Sequence, residues 1–261
     1  MSAIETFAGR ARAAQKVVVL PEGNDYRVVV AANKAIDQKV AKRVIVLGSE
    51  QEIAESCAKG NVTVRKFETI DYLNSPLFAQ FSKEFYEMRK SKGLTEDKAA
   101  EMMKSRIYFG AMMCRNNMVD GLVAGSIAST ADMLRAAFHC IGTAPGMKIA
   151  SSNFVMDLKT PTESGDNVLL FADCGVNPNP NAEQLVDIAL ATADTYRSLV
   201  GKTPRVAFLS FSTHGSAEHE ILVKVVEAAK MLKAKIAAEN LDIVADGELQ
   251  GDAALVPAVA K

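Results

Sequence analysis

The 261-residue sequence contains no tryptophan, three histidines and four cysteines, and these scarcities exclude several classes of protein. The cysteines are widely separated: Cys57, Cys114, Cys140 and Cys174. They lack the close pairs of a zinc site and the density of a disulfide scaffold, and the histidines do not cluster with them. We therefore expect buried free thiols in a reducing cytoplasm and no bound metal.

Excess charge and long apolar runs are also absent. The net charge is −1, which gives no basic footprint for nucleic acid or for an anionic membrane. No hydrophobic run approaches the thickness of a bilayer, and the N-terminus has no signal-peptide core. No Walker A or GxGxxG pattern occurs, so the common nucleotide-binding fingerprints are missing.

A rhythm of short apolar strands and helices runs through the first half of the chain. Val17–Leu20 and Arg43–Leu47 are apolar runs typical of strands buried on both faces, and a third strand is predicted at 62–67. Amphipathic helical segments separate them. This order predicts right-handed βαβ units and a mostly parallel sheet.

The length favours two α/β domains, 1–146 and 147–261, because 261 residues are many for one core. The turn at Ala144-Pro145-Gly146 marks the predicted boundary. Beyond it, strands at 149–156 and 168–172 are joined by a polar loop, which predicts an antiparallel pair in the second domain.

The segment 119–147 has the layout with which α/β proteins bind anions. An apolar strand at 121–124 gives way to small residues from Gly125, and a helix follows. The first N–H groups of a helix have no intrahelical partner, and the helix dipole is positive there. The alternative is plain capping, with Ser129 as N-cap and Asp132 at the third helical position.

Arg135 lies one turn into the same helix and supports two interpretations. Its planar fork suits a phosphate bidentately. It also stands three residues after Asp132, at the spacing of an intrahelical ion pair. Spacing does not separate these alternatives.

Two more arginines stand at helix ends. Arg27 follows the loop Pro21-Glu22-Gly23-Asn24-Asp25, which ends the first strand on the sheet edge where open α/β sheets bind ligands. Arg89 is near the end of a predicted helix at 77–92. For both, a solvated residue at a helix end is the alternative to a ligand contact.

The residues 120–146, DGLVAGSIASTADMLRAAFHCIGTAPG, resemble the core motif of the phosphate acetyltransferases. Five further blocks resemble that family in its own order. They are PEGNDYRV at 21–28, the helix around YFGAM at 108–112, FADCGVNPNPNAEQLVDIA at 171–189, LSFSTHGSA at 209–217 and DGELQGDAALVP at 246–257. The resemblance covers essentially the whole chain.

The resemblance implies reversible acetyl transfer between coenzyme A and phosphate, on two α/β domains around a cleft, as in the isocitrate and isopropylmalate dehydrogenases. It implies a homodimer, no metal, and coenzyme A as a substrate with no bound cofactor. Arg27 would grip the phosphates of coenzyme A, and Arg89 would bind substrate anions. The catalytic candidate is Arg135, with the phosphoryl group held by Ser129 and Thr130.

Acyl transfer also needs donors for the developing oxyanion. N–H groups near Ser129 and Thr130, or the turn at Gly142-Thr143, are the candidates, and we take Thr143 as a substrate-binding residue. A base must also accept the thiol proton, because a thiol of pKa about 8.5 is mostly neutral at pH 7. Asp132 is the nearby carboxylate, but capping is its expected role.

The sequence departs from the family pattern in two places. His214 stands where the family commonly has lysine, which weakens a phosphate role for that loop. The family also continues for several tens of residues beyond the position of Lys261, with a Ser-Arg pair and the aspartate assigned as the base. We therefore expect a truncated form that is impaired or inactive.

Three other functions compete. Phosphate butyryltransferase shares the fold and the chemistry, and differs in the acyl chain. A non-catalytic acyl-CoA-sensing domain, as in some malic enzymes, would bind without turnover. A dehydrogenase of the isocitrate type would need a cluster of metal-binding aspartates, which the sequence does not display.

Overall fold

The computed structural model describes residues 2–259, which divide into two compact units. One unit is Thr6–Gly142. The other consists of the described residues from 143 onward, together with residues 2–5. The first unit has one four-stranded sheet, the second has two separate two-stranded sheets, and each unit has its own hydrophobic core.

Helices and strands alternate along most of the described chain. The α-helices are α1 Ala3–Ala14, α2 Tyr26–Asp37, α3 Glu50–Lys59, α4 Leu77–Arg89, α5 Glu96–Met103, α6 Arg106–Arg115, α7 Thr130–Cys140, α8 Ala182–Val200, α9 Glu220–Glu239 and α10 Gly251–Leu255. The strands are β1 Val17–Leu20, β2 Arg43–Leu47, β3 Glu68–Ile70, β4 Gly121–Leu122, β5 Asn153–Asp157, β6 Val168–Ala172, β7 Arg205–Leu209 and β8 Val244–Leu249.

The sheet of the Thr6–Gly142 unit has the order β3-β2-β1-β4, and every pair in it is parallel. This confirms the α/β class with a parallel sheet. Since β1 lies between β2 and β4, the loops that leave β1 and β4 start side by side. An open α/β sheet binds ligands at such a point, where the strand order reverses.

Strand β2 is buried on both faces, as its apolar run predicts. Val44 and Val46 pack on one side with α2 and α3. Ile45 and Leu47 pack on the other with α4 and α6, among fully buried side chains that include Phe109. Successive strand residues point to opposite faces, so β2 joins two layers of helices across the sheet.

The third strand lies at Glu68–Ile70, so its predicted position at 62–67 was wrong. In the predicted segment, backbone groups bond to the side chain of Asn33. Its amide donates to the Val64 carbonyl at 2.7 Å, and its oxygen accepts from the Lys66 N–H at 3.0 Å. These bonds replace strand pairing until residue 68.

The helices near the site are shorter than predicted. Helix α4 ends at Arg89, and a 3-10 turn at Lys90–Lys92 follows before Gly93 at φ 82°. The helix predicted from Thr95 to about 116 divides at Lys104 and Ser105, where Ser105 takes an extended backbone (φ −76°, ψ 121°). The break lets both α5 and α6 pack against α4.

The unit from residue 143 onward contains the predicted antiparallel pair. Strands β5 and β6 pair antiparallel from Asn153↔Ala172 to Asp157↔Val168, so the first strand begins later than predicted. Strands β7 and β8 are parallel, and α8 and α9 form a core with them around Phe208 and Leu232. Within residues 2–259, none of the helices combines the length and apolar character that crossing a bilayer requires.

Candidate functional site

The loop after β1 is fixed by contacts with the end of β2 and with α6. The Gly23 N–H donates to the Leu47 carbonyl at the end of β2, at 3.2 Å. A Cβ on Gly23 would lie 2.5 Å from that oxygen, so only glycine fits this close approach. Arg106 in α6 donates from Nη1 to Asn24 Oδ1 at 2.8 Å. Glu22, inside this loop, therefore has a fixed backbone.

The Glu22 carboxylate fills the loop that follows β4. Oε2 accepts from the N–H groups of Gly125 and Ser126, both at 2.8 Å. Oε1 accepts from Ile127 at 2.8 Å and from Ala128 at 2.7 Å. Burial would raise the pKa of Glu22, which is 2% exposed, but these four bonds outweigh burial and hold its pKa below the ordinary value.

This geometry concerns the small-residue segment, and the anion site predicted at the first N–H groups of α7 stays a prediction. The backbone N–H groups from Gly125 to Ala128 are an anion site, as the layout predicts, but their anion is the chain's own Glu22. A substrate phosphate must therefore be held by other groups, unless it displaces a buried carboxylate.

Arg27 lies beside this loop and is engaged by Asp25. Its Nη2 lies 2.6 Å from Asp25 Oδ2 and donates to the Ser126 carbonyl at 3.0 Å. Asp25 is the N-cap of α2 and also accepts from the Ser126 hydroxyl. The hydrogen bonds from Arg27 hold the pKa of Asp25 well below its usual range. The Arg27 side chain is 60% exposed, so it remains accessible to a ligand.

Helix α7 begins with the predicted N-cap. Ser129 Oγ accepts from the Asp132 N–H at 3.2 Å and donates to Asp132 Oδ2 at 2.7 Å. Arg135 Nη1 donates to Asp132 Oδ1 at 3.0 Å, which is the intrahelical pair that the spacing allows. Thr130 is the first residue of the helix. Asp132 thus links the cap to the arginine, and both charged side chains are more than half exposed.

Arg135 also faces a groove of about 340 Å³. Its lining comes from α5, the turn that follows, α6 and α7: Glu101, Met102, Ser105, Tyr108, Asp132 and Arg135. The groove thus presents one guanidinium, two carboxylates and two hydroxyls within a single unit of the fold.

Tyr108, which is buried, and His139, which is half-buried, form a polar pair that sequence reasoning missed. Tyr108 Oη lies 2.8 Å from His139 Nδ1. Burial raises the pKa of Tyr108 to about 12, so its hydroxyl is neutral. Burial, together with the positive charges of Arg89 and Arg135, lowers the pKa of His139. The positive charges of Arg89, at the end of α4, and of Arg135 thus act on both members of the pair.

Thr143 lies in the other unit, where its hydroxyl donates to the Met147 carbonyl at 2.9 Å. Its role as an oxyanion donor stays a prediction, as do the ligand roles of Arg27, Arg89, Ser129, Thr130 and Arg135.

The hydroxyl-rich loop around His214 follows the same principle as the loop after β4. Glu248 Oε1 accepts from the Ser212 hydroxyl at 3.0 Å and from the Gly215 N–H at 2.6 Å. These contacts, the Gly215 bond foremost, lower the pKa of Glu248. His214 Nε2 lies 3.5 Å from Asp246, which also pairs with Lys233 at 2.7 Å.

Asp173, directly after β6, is a third internal anion. It accepts from the Ser152 hydroxyl at 2.6 Å and from the N–H groups of Gly175 at 2.8 Å, Val176 at 3.0 Å and Asn177 at 3.0 Å. Burial opposes its charge, but these donors hold the pKa of Asp173 well below its usual range. Three loops therefore bind a carboxylate of the chain itself.

Comparison with known proteins gives this arrangement its context. The sequence model described as phosphate acetyl/butaryl transferase matches residues 2–261. A phosphate acetyltransferase of Thermoanaerobacterium thermosaccharolyticum is 47% identical over 262 aligned residues, which are 100% of this chain and 77% of the relative.

Two solved structures are similar. The EutD phosphotransacetylase from Staphylococcus aureus superposes with a TM-score of 0.84 at 36% identity, over 100% of this chain and 77% of that one. A phosphotransacetylase from Streptococcus pyogenes superposes with a TM-score of 0.85 at 34% identity, over 98% of this chain and 76% of that one. The fold and these matches define an enzyme of the acyltransferase class. The chain belongs to the phosphate acetyl/butaryl transferase family.

Proposed function

We propose that this protein transfers an acetyl group reversibly between coenzyme A and phosphate, so that acetyl-CoA and phosphate become coenzyme A and acetyl phosphate. The observation that carries the proposal is the 47% identity, across the whole chain, to a protein named phosphate acetyltransferase. The positive charges of Arg89 and Arg135, which both act on the Tyr108–His139 pair, support it, because both substrates are anions.

In the direction of thioester formation, the sulfur of coenzyme A attacks the acetyl carbon and the bond from that carbon to the phosphate oxygen breaks. The thiol gives up its proton to a base, and phosphate leaves with the bonding electron pair. Negative charge develops on the carbonyl oxygen and on the departing phosphate. Positive side chains and N–H donors aimed at these oxygens lower the barrier.

Phosphate binding falls to side chains in this proposal. Glu22 occupies the N–H groups of the loop before α7, so we assign the phosphoryl group to Arg135 with the hydroxyls of Ser129 and Thr130. Arg135 would exchange its exposed contact with Asp132 for the phosphate oxygens, which its fork can bind in pairs. Charge developing on the leaving phosphate makes Arg135 the catalytic candidate.

The remaining contacts concern coenzyme A and the acyl carbonyl. Arg89 adds positive charge for substrate anions at the end of α4. Arg27, exposed beside the β1 loop, would bind phosphates of coenzyme A while Asp25 keeps its orientation. Thr143 would donate to the carbonyl oxygen.

The proposal includes the wider expectations from the resemblance. Coenzyme A acts as a substrate, and no metal or bound cofactor takes part. The protein is a cytoplasmic homodimer. Its domains are 1–146 and 147–261, with a cleft between them in the isocitrate/isopropylmalate-dehydrogenase-like architecture.

Phosphate butyryltransferase is the second candidate, because the description of the matching family names both acyl groups. Pocket volume would decide between them, since one extra methylene changes discrimination by about 10- to 200-fold. An acyl-CoA-sensing domain would bind coenzyme A or its thioesters without turnover.

The test is a thioester-forming assay on the protein encoded by the complete reading frame. Coenzyme A is mixed with acetyl phosphate or with butyryl phosphate, and thioester and released phosphate are both quantified. We expect one phosphate released for each acetyl-CoA formed, and a higher kcat/KM for the acetyl substrate. A preference for butyryl phosphate would support the second candidate. Binding of acetyl-CoA without turnover of either substrate would contradict the enzyme and support the sensor.

A further inference from the structure

We propose that Glu22 is a positioning residue for the acyl phosphate: it fixes the 125–128 segment, and through it the start of α7, from which Ser129, Thr130 and Arg135 project. The inference rests on the proposed function for its kinetic consequence. Its structural basis is the set of hydrogen bonds that connects two loops more than 100 residues apart in sequence.

The Glu22 backbone is itself tethered to the rest of the unit. Its loop begins at the end of β1, and Gly23 is pinned to the end of β2 where no side chain would fit. Arg106 holds Asn24 from one side and donates to Glu52 Oε1 in α3 at 3.0 Å. Because this backbone is bonded to the sheet, the Glu22 carboxylate fixes the 125–128 segment relative to the sheet.

In the 125–128 segment, no residue before the N-cap of α7 lacks a hydrogen bond to Glu22. The four N–H groups that it accepts belong to consecutive residues, and the last of them, Ala128, directly precedes the N-cap Ser129. Asp25 adds a second connection through the Ser126 hydroxyl. The helix start is therefore set by the β1 loop and not by the two-residue strand β4 alone.

The N–H groups of residues 125–128 require a carboxylate as their acceptor. Four donors converge on two oxygens, and an ionised carboxylate has two acceptor oxygens and no donor. Glutamine would keep one acceptor oxygen and turn an NH2 group toward two of the N–H groups. Two of the four N–H donors would then lose their partner and face another donor. Aspartate keeps both oxygens but is one methylene shorter.

The experiment compares Glu22→Gln and Glu22→Asp with a matched control, Asp120→Asn. Asp120 also bridges β1 and β4, since it accepts from the Val17 N–H at 2.8 Å, but at the opposite edge of the sheet. All variants are made in the protein encoded by the complete reading frame, and also in combination with Arg135→Ala. The readouts are kcat and KM for acetyl phosphate, and amide hydrogen exchange at 125–128.

We expect Glu22→Gln to lower kcat/KM by about 10- to 100-fold, the loss typical of a displaced catalytic group. Glu22→Asp should recover part of it, and Asp120→Asn should stay within about twofold of the unmodified protein. In the Arg135→Ala background, Glu22→Gln should cost less than it does in the unmodified protein, because one of the residues it positions is already gone. Exchange at 125–128 should accelerate in Glu22→Gln and remain slow in Asp120→Asn.

Two results would overturn the inference. One is a Glu22→Gln enzyme with unchanged kcat/KM; the other is a loss that multiplies fully with that of Arg135→Ala, because Glu22 would then act independently of Arg135. If Glu22→Gln does not fold, Glu22→Asp carries the same two tests. An unmodified protein without turnover refutes the proposed function instead, and the kinetic role of Glu22 with it, whereas the exchange data still report whether Glu22 holds the loop.

Discussion

Replacing Arg135 by alanine distinguishes a helix-stabilising arginine from a phosphate-binding one, because the two roles predict effects of different size. The ion pair with Asp132 is intrahelical, and the two side chains are 56% and 58% exposed. Such a pair contributes about 0.2–0.5 kcal/mol, and alanine is at least as good a helix former as arginine. The free energy of unfolding should therefore change by less than about 0.5 kcal/mol.

The expected kinetic effect is larger. A hydrogen bond to a charged group contributes about 1.5–3 kcal/mol, and losing it from the transition state lowers kcat/KM by roughly 10- to 150-fold. The assay is thioester formation from acetyl phosphate and coenzyme A, beside urea unfolding of the same samples. Asp132→Asn should leave kcat/KM for acetyl phosphate unchanged or raise it, because Arg135 is freed for the phosphate.

Arg197 provides the matched control for this prediction. It makes an i,i+3 pair with Asp194 at the same 3.0 Å, on α8 of the other unit. Arg197→Ala should leave kcat/KM within about twofold, as expected of a surface change. If Arg135→Ala behaves like Arg197→Ala in the kinetic assay, Arg135 does not bind the phosphate and the reasoning fails.

Three further predictions concern stability. The pKa of Glu22 and that of Asp173 are lowered in the fold, so their stabilisation is complete above about pH 5 and is lost as pH falls through the folded pKa values. Urea unfolding of Glu22→Gln should show a smaller loss on acidification than the unmodified protein, and an equal loss would contradict this. The pKa of His139 is lowered too, so the free energy of unfolding should fall as pH decreases from about 6.5 toward the folded pKa. His139→Gln should reduce this pH dependence. An NMR titration that gives His139 the pKa of a free histidine would refute the lowered pKa. Gly23→Ala should cost about 1–3 kcal/mol of unfolding free energy through overpacking against Leu47 and Ile53; an unchanged urea midpoint would show that the loop can relax.

The features that sequence analysis predicted correctly are those set by local patterns. The apolar run of β2 predicts a strand buried on both faces, and its alternate residues do contact different helix layers. The hydroxyl of Ser129, three residues before Asp132, predicts an N-cap and provides one. In both, the residues that determine the structure are neighbours in the chain.

The features that sequence analysis missed depend on contacts between distant residues. In the sequence, Glu22 is an ordinary polar residue of a loop. The four N–H groups that donate to it lie 103 to 106 residues away along the chain. Tyr108 and His139 come from different helices. The displaced third strand has the same origin, since the side chain of Asn33, far from that segment in sequence, takes its backbone hydrogen bonds. No periodicity records such pairings.

The internal carboxylates change how the anion-binding layout is interpreted. Small residues followed by a helix start predict free N–H groups, and the N–H groups do converge. However, Glu22, Asp173 and Glu248 each complete such a loop from within the chain. The fold thereby fixes its loops with its own charges, and we propose that arginine side chains meet the charges of the substrate.

The location of bound phosphate tests this central claim most directly. A crystal structure of the protein with acetyl phosphate, or with inorganic phosphate, would show which groups hold the anion. We expect phosphate oxygens about 3 Å from the Arg135 guanidinium, with Glu22 still bound to the N–H groups of 125–128. A phosphate seated on those N–H groups, with the Glu22 carboxylate displaced, would contradict it.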